Sequence, residues 1–177
     1  GVVGILWDDV FTKYFYNYQT VAIMLILVGV VFILVERANK NKVARVDSID
    51  DISYGQAFLI GVFQMIAAIF PGTSRSGSTI VGSLMLVISR AAAAEFTFFL
   101  AVPAMFGGSA IKILKYNGGF NSAEVALLAI GMIVAFVLSI IAIKFLMSYI
   151  KKHDFKVFGW YRIILGIAVI GYFLATR

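Results

Sequence analysis

The sequence predicts an all-α integral membrane protein: four full transmembrane helices plus one re-entrant helical hairpin, the pattern of one half of an inverted-repeat fold. Three observations predict it. Hydrophobic residues make up 62% of the 177 and charged residues only 14%, against about 25% charged in ordinary soluble domains, so the chain cannot cover a surface that faces water. Four stretches are apolar over the roughly 20 residues that a helix needs to cross the hydrocarbon core. Between the first and second of them, two shorter apolar runs are joined by "PGTSRSG" at residues 71–77.

The elements follow in order. Residues 1–6, "GVVGIL", read as the tail of a span that begins elsewhere, with neither an initiator methionine nor the basic run of a signal peptide. The chain is therefore expected to be a single membrane domain from a longer protein. The first full span, 18–35, ends at Glu36-Arg37. The second, 91–111, is interrupted by Glu95 and Pro103, and the third, 123–143, runs clean. The fourth, 157–175, carries Trp160 and Tyr161 near its start, where an interfacial aromatic belt sits.

Residues 53–89 do not make two further spans. Pro71 cannot donate to a helix ladder and biases Phe70 away from helical geometry, so the first arm stops there. The arms then have roughly 18 and 12–14 residues, and the second is too short to cross. Non-helical backbone at membrane depth needs protein or a wet cavity around it, so 53–89 reads as a re-entrant hairpin. Asp50-Asp51 are expected to cap the arm that starts near Ser53, while Asp8, Asp9 and Asp47 read as loop acids. Lys/Arg counts set the orientation: Arg37, Lys40, Lys42 and Arg45 in loop 37–52, and Lys144, Lys151, Lys152 and Lys156 in loop 144–157, against Lys112 and Lys115 in loop 112–122. The two rich loops belong on the cytoplasmic side and the poor one outside.

The net charge of +6 could point to nucleic acid, but its carriers cluster at the ends of apolar runs, which is membrane topology and not a nucleic-acid footprint. Without cysteine, disulfides, thiolate metal sites and a cysteine nucleophile are excluded, and the one histidine, His153, falls in the "KKHDFK" loop.

The chemistry therefore rests on 71–77. A helix that starts near Ser74 leaves backbone N–H groups unpaired in its first turn. Thr73, Ser74 and Ser76 suit capping there, and Gly72 and Gly77 allow another group close to the backbone. The helix dipole and the Arg75 fork favour the same ligand, a phosphate oxygen pair. At membrane depth, that anion must be attached to something apolar: a lipid phosphate or diphosphate. Against this stands a structural role for Arg75, paired with a carboxylate or with backbone carbonyls at the hairpin tip. Three residues are expected to brace the site: Gln64, which faces the same cavity or makes an interhelical hydrogen bond; Glu95, as partner of Arg75 or Arg90; and Arg90 itself, otherwise an interfacial cation beside the cap Ser89. Hydrolysis of a diphosphate also needs a nucleophile, a proton shuttle and often Mg²⁺ or Ca²⁺ on carboxylates. Glu95 is the only acid expected near the hairpin at membrane depth, so the divalent-cation ligands are expected outside this chain.

With those residues in view, "QMIAAIFPGTSRSGSTIVGSLMLVISRAAAAEFTFFLAVPAMFGG" (64–108), the "LVER" at 34–37 and the "YR" at 161–162 resemble the C-terminal part of the undecaprenyl-diphosphate phosphatase family, the bacitracin-resistance proteins. The resemblance implies a multi-pass enzyme of the bacterial inner membrane, an inverted repeat with two re-entrant hairpins and a site that opens outward. It would remove the terminal phosphate of the C55 carrier diphosphate and so recycle the carrier for peptidoglycan synthesis. Arg75 and Ser74 would be catalytic, with Gly72, Thr73, Ser76 and Gly77 binding substrate. The family's second motif, with two glutamates and a histidine, lies N-terminal to the matched region, and in this hairpin Gln64 and Ala68 take the places of those glutamates. Implied partners are the lipid diphosphate, membrane lipids and the N-terminal part of the same protein, with room for a homodimer. Half of an inverted-repeat transporter or flippase, binding a phosphorylated solute or lipid at the same broken helix, remains the alternative.

Overall fold

A computed structural model describes residues 15–116, 118–119 and 121–176. Among them run six α-helices: α1 (Tyr18–Asn39), α2 (Tyr54–Ile69), α3 (Arg75–Met85), α4 (Arg90–Leu114), α5 (Ser122–Ile150) and α6 (Lys156–Ala175). A short 3₁₀ turn, Ile49–Asp51, precedes α2. α1, α4, α5 and α6 are long and apolar enough to span a membrane, which agrees with the four spans expected. Residues 1–6, Asp8 and Asp9 lie outside the described residues.

α1 and α6 form the spine. They run antiparallel, with Tyr18 stacked on Phe173 at one end (ring centroids 4.0 Å apart) and Glu36 against Phe155 at the other. Their seam is built of small residues spaced by seven: Ala22 and Gly29 on α1 meet Gly166 and Gly159 on α6. A Cβ on Gly29 would lie 2.7 Å from the Gly159 carbonyl oxygen, and one on Gly166 2.9 Å from that of Ala22. Such small residues let backbones touch where lipid supplies no hydrophobic drive between helices.

The expected hairpin is present, with unequal arms of 16 and 11 residues. At 1.5 Å per residue, α2 is about 24 Å long and α3 about 17 Å. Phe70 leaves the helical region (φ −108°, ψ 108°) directly before Pro71. The tip reaches toward the start of α1, where Phe70 packs on Phe15 and Gly72 on Val21. The far end of α3 returns to the end of α1 and the loop after it: Arg45 N–H donates to Val87 O (2.9 Å), Ser89 N–H to Val46 O (2.9 Å), and Asn39 Nδ2 to Leu84 O (2.6 Å). α3 is short in bulk, so it fits between α2 and α4; Gly82 lies under the Phe63 ring, where a Cβ would come within 2.7 Å. Two of its buried hydroxyls are satisfied within the fold, Ser83 donating to Thr79 O (2.8 Å) and Thr79 sharing a 2.9 Å bond with Thr97 of α4.

Three local expectations need correction. Ser53, not Asp50-Asp51, caps α2, in a reciprocal capping box with Gln56, while the two aspartates sit in a turn that Ser48 caps. Pro103 does not interrupt α4, which continues through it for eleven more residues to Leu114. α1 passes Glu36-Arg37 and ends at Asn39.

Candidate functional site

The turn from α2 to α3 is held from three sides. Gly72 has φ +88°, and a Cβ there would lie 2.5 Å from the carbonyl oxygen of Val21, so conformation and space both demand glycine. Arg162, reaching across from α6, donates Nη2 to Gly72 O (2.6 Å) and Thr73 O (2.7 Å). Ser74 then caps α3, its hydroxyl accepting Gly77 N–H at 3.3 Å. It does so at φ +66°, ψ 123°, a conformation that costs a residue with a side chain about 1–3 kcal/mol and recurs at functional sites. The Ser74 and Ser76 hydroxyls lie 3.2 Å apart and are exposed. Two buried polar atoms at this turn, Thr73 Oγ1 and Arg162 Nε, have no hydrogen-bond partner among the described residues.

Three arginines pack between helices, and their partners separate their roles. Arg90 is held by Glu36 of α1: Nε donates to Oε1 and Oε2 (2.9 and 3.2 Å) and Nη2 to Oε2 (2.5 Å), while Phe155 N–H donates to Oε1 (2.9 Å). The Glu36 side chain is 1% exposed. Arg90 is thus one side of a latch joining α1, α4 and the start of α6, and not a free interfacial cation. Arg162 is the cation on backbone carbonyls at the hairpin tip, the structural part that the sequence alone left open for Arg75. Arg75, at the first position of α3, has one described contact, from Nη1 to Ala101 O at 3.4 Å, long for a hydrogen bond.

Beside the turn lies a cavity of about 230 Å³. Ser74, Ser76, Gly77 and Arg162 line its polar end, Thr97 and Tyr161 also reach it, and Phe32, Ile80, Phe98, Leu146, Phe155 and Phe158 make most of the remainder apolar. A polar patch at the start of a helix next to an apolar chamber suits an amphiphile with an anionic head.

The structure therefore brings Ser74, Ser76 and Gly77 together on the cavity, with Gly72 and Thr73 forming the turn behind them. Arg75 is adjacent, turned toward α4. Arg90 and Glu95 are not brought to this cavity; Glu95 is exposed and has no ion-pair partner among the described residues, because Arg90 goes to Glu36 instead. Gln64 is half-buried on α2, outside the cavity lining. Sequence reasoning missed Glu36 and Arg162 as parts of the site's frame. The signal was available: each is an ionisable residue at or inside the end of an apolar run, which is costly in a membrane unless it is paired.

The model of the family described as bacitracin resistance protein BacA matches residues 1–168. The chain is similar to a protein of Desulfitobacterium hafniense named undecaprenyl-diphosphatase, 63% identical over 175 residues, covering 99% of this chain and 63% of that protein. It is 60% identical over 173 residues to undecaprenyl-diphosphatase 1 of Clostridium acetobutylicum (98% and 63% covered), and 59% over 170 to an undecaprenyl-diphosphatase of Enterococcus faecalis (96% and 61%). The chain thus spans a little under two thirds of the length of these relatives. A family model matched over nearly the whole chain, with these identities, shows that the chain belongs to the bacitracin resistance protein BacA family.

Proposed function

We propose that the whole protein hydrolyses undecaprenyl diphosphate to undecaprenyl phosphate and inorganic phosphate, recycling the carrier for peptidoglycan synthesis, and that this chain supplies the diphosphate-binding half of the site. The observation that carries this reading is the distribution of partners among the three arginines. Arg90 is consumed by Glu36 and Arg162 by two carbonyls, whereas Arg75 keeps its guanidinium fork for a ligand. The names of the relatives supply the substrate.

In this reading, the diphosphate lies over the start of α3 and the first isoprene units enter the apolar part of the cavity. Arg75 and the amides of the first turn of α3 bind non-bridging oxygens. Ser74 and Ser76 hydroxyls donate to the terminal phosphoryl group and orient it. A nucleophile attacks the terminal phosphorus; the bond to the bridging oxygen breaks, and that oxygen leaves with the lipid phosphate. Arg75 gains binding strength as charge develops there, which is how a preorganised cation lowers a phosphoryl-transfer barrier. A divalent cation, Mg²⁺ or Ca²⁺, would supply further neutralisation when bound. Among the described residues, no group of three or more His, Asp or Glu could hold one, so its ligands are assigned to the rest of the protein, with the base that accepts the nucleophile's proton.

The lysine-rich loops support a cytoplasmic position, at a bacterial inner membrane, for the ends of both hairpin arms, and the tip packs against the opposite end of α1. That supports a re-entrant hairpin whose site opens outward. Co-expressing the N-terminal part of the protein with residues 1–177 tests the composite site: metal-dependent release of phosphate from prenyl diphosphate is expected only when both pieces are present. Turnover by 1–177 alone would promote Glu95 to catalyst and end the composite reading. Binding by the assembled pieces without phosphate release would favour a transporter half.

A further inference from the structure

The end of the molecule away from the hairpin tip holds a second cavity, of about 350 Å³, within the range of small-ligand sites. It is walled by the end of α1, the loop after it, the turn after α3, the start of α4 and the end of α5, and it shares only Ile150 with the cavity at the tip. Its ionisable groups are Lys42, Arg90 and Lys151 against Glu36 and Asp47. Glu36 is already spent on Arg90. Two lysines then face one carboxylate, Asp47, and neither lysine has an ion-pair partner among the described residues.

The backbone contributes the same sign. Ser89 satisfies the Ala92 amide, which leaves the amides of Arg90 and Ala91 at the positive end of the 25-residue α4. Besides Asn39 and Ser89, the rest of the wall is apolar, with Leu84, Ile88 and Ile150 buried in it. Val43 and Met85, which follow the lining residues Lys42 and Leu84 in sequence, are 88% and 55% exposed, apolar surface of the kind that acyl chains cover.

We propose that this cavity binds the phosphate-diester headgroup of an acidic membrane phospholipid in the leaflet on the side of the lysine-rich loops. Basic pockets between membrane helices on that side take anionic headgroups, each nearby lysine or arginine being worth about fivefold in affinity. The lipid would join the end of α1, the start of α4 and the end of α5 across the Glu36–Arg90 latch. α5 has little other contact, none of the residues in its apolar window being buried, so headgroup binding should stabilise the assembled molecule.

The test uses the full-length protein in an uncharged detergent, following its unfolding midpoint as phosphatidylglycerol, phosphatidylcholine or inorganic phosphate is added. Phosphatidylglycerol should raise the midpoint, and the other two should leave it unchanged. The Lys42→Gln/Lys151→Gln variant should need about 30-fold more phosphatidylglycerol for the same rise. A Lys40→Gln/Lys152→Gln control, in the same loops but off the cavity, should respond like the wild type. Both lysine pairs are exposed, so the variants fold and their lipid-free midpoints provide the check. Equal stabilisation by phosphatidylcholine or inorganic phosphate, an unchanged response of Lys42→Gln/Lys151→Gln, or an equal loss in the control pair would each overturn the proposal.

Discussion

Replacing the two halves of the Glu36–Arg90 latch separately should have unequal costs. Glu36 is buried and accepts three contacts from Arg90 and one from the Phe155 amide, whereas the Arg90 side chain is 40% exposed. In Arg90→Met, the carboxylate keeps only the Phe155 amide and is left as a buried charge without a counter-ion. Breaking such a pair costs about 3–5 kcal/mol when both partners are dry; with Arg90 partly open to solvent, the lower end, about 3 kcal/mol, is the working value. In Glu36→Gln, the side-chain carbonyl can still accept from Phe155 and the guanidinium turns toward water. That leaves the loss of one charge-assisted interaction, about 1–2 kcal/mol. The double variant removes both charges, so it should be more stable than the sum of the singles by about 1–3 kcal/mol. Equilibrium unfolding of the full-length protein in mixed detergent micelles measures all three. A larger cost for Glu36→Gln than for Arg90→Met, or strict additivity in the double variant, would refute the picture of a buried carboxylate compensated by a half-exposed arginine.

Two further outcomes follow from local geometry. Val87 occupies the position just past α3 in a Schellman turn, with Ile88 N–H bonded to Ser83 O (3.1 Å) and Val87 N–H to Leu84 O (3.0 Å), at φ +59°; Val87→Gly should raise unfolding stability by about 1 kcal/mol by relieving a β-branched residue in a left-handed conformation. The Asp154 carboxyl, in the loop before α6, is held below its usual range chiefly by the Lys156 side-chain bond at 2.7 Å. A lowered carboxyl pKa gives stability that is present above the unfolded value and lost as pH falls through the folded one. Wild type should therefore lose less than about 1 kcal/mol relative to Asp154→Asn as pH is lowered below about 4, measured as the difference between their unfolding midpoints.

The spans and the hairpin could be read from sequence because both are local. Twenty apolar residues, a proline after "AAIF" and a serine before "RSG" each determine the backbone around them, whatever packs outside. Polar partners were harder. Glu36 finds Arg90 across 54 positions, and Arg162 finds Gly72 and Thr73 across 90 and 89, separations at which no periodicity carries information. Glu95 is expected from sequence to partner Arg75 or Arg90, yet its spacing of five from Arg90 puts those two on different faces of α4, and only spacings of three and four bring side chains together. The structural cation of the hairpin tip comes from α6 and not from the heptapeptide. Ala22 and Gly29, with Gly159 and Gly166, repeat small residues at intervals of seven in two apolar runs, a local signal that marks a close helix pair.

The central claim, that Arg75 is the arginine kept free to bind and activate the diphosphate, is tested most directly by phosphate release from a prenyl diphosphate by full-length Arg75→Lys, with its unfolding midpoint measured on the same sample. Lysine retains the charge but loses the planar fork. The account predicts a fall in rate of about 10²–10³. It also predicts a stability change within about 0.5 kcal/mol, because among the described residues the Arg75 side chain has only the 3.4 Å contact with Ala101 O. Activity within about threefold of wild type would contradict the claim and return Arg75 to the fold.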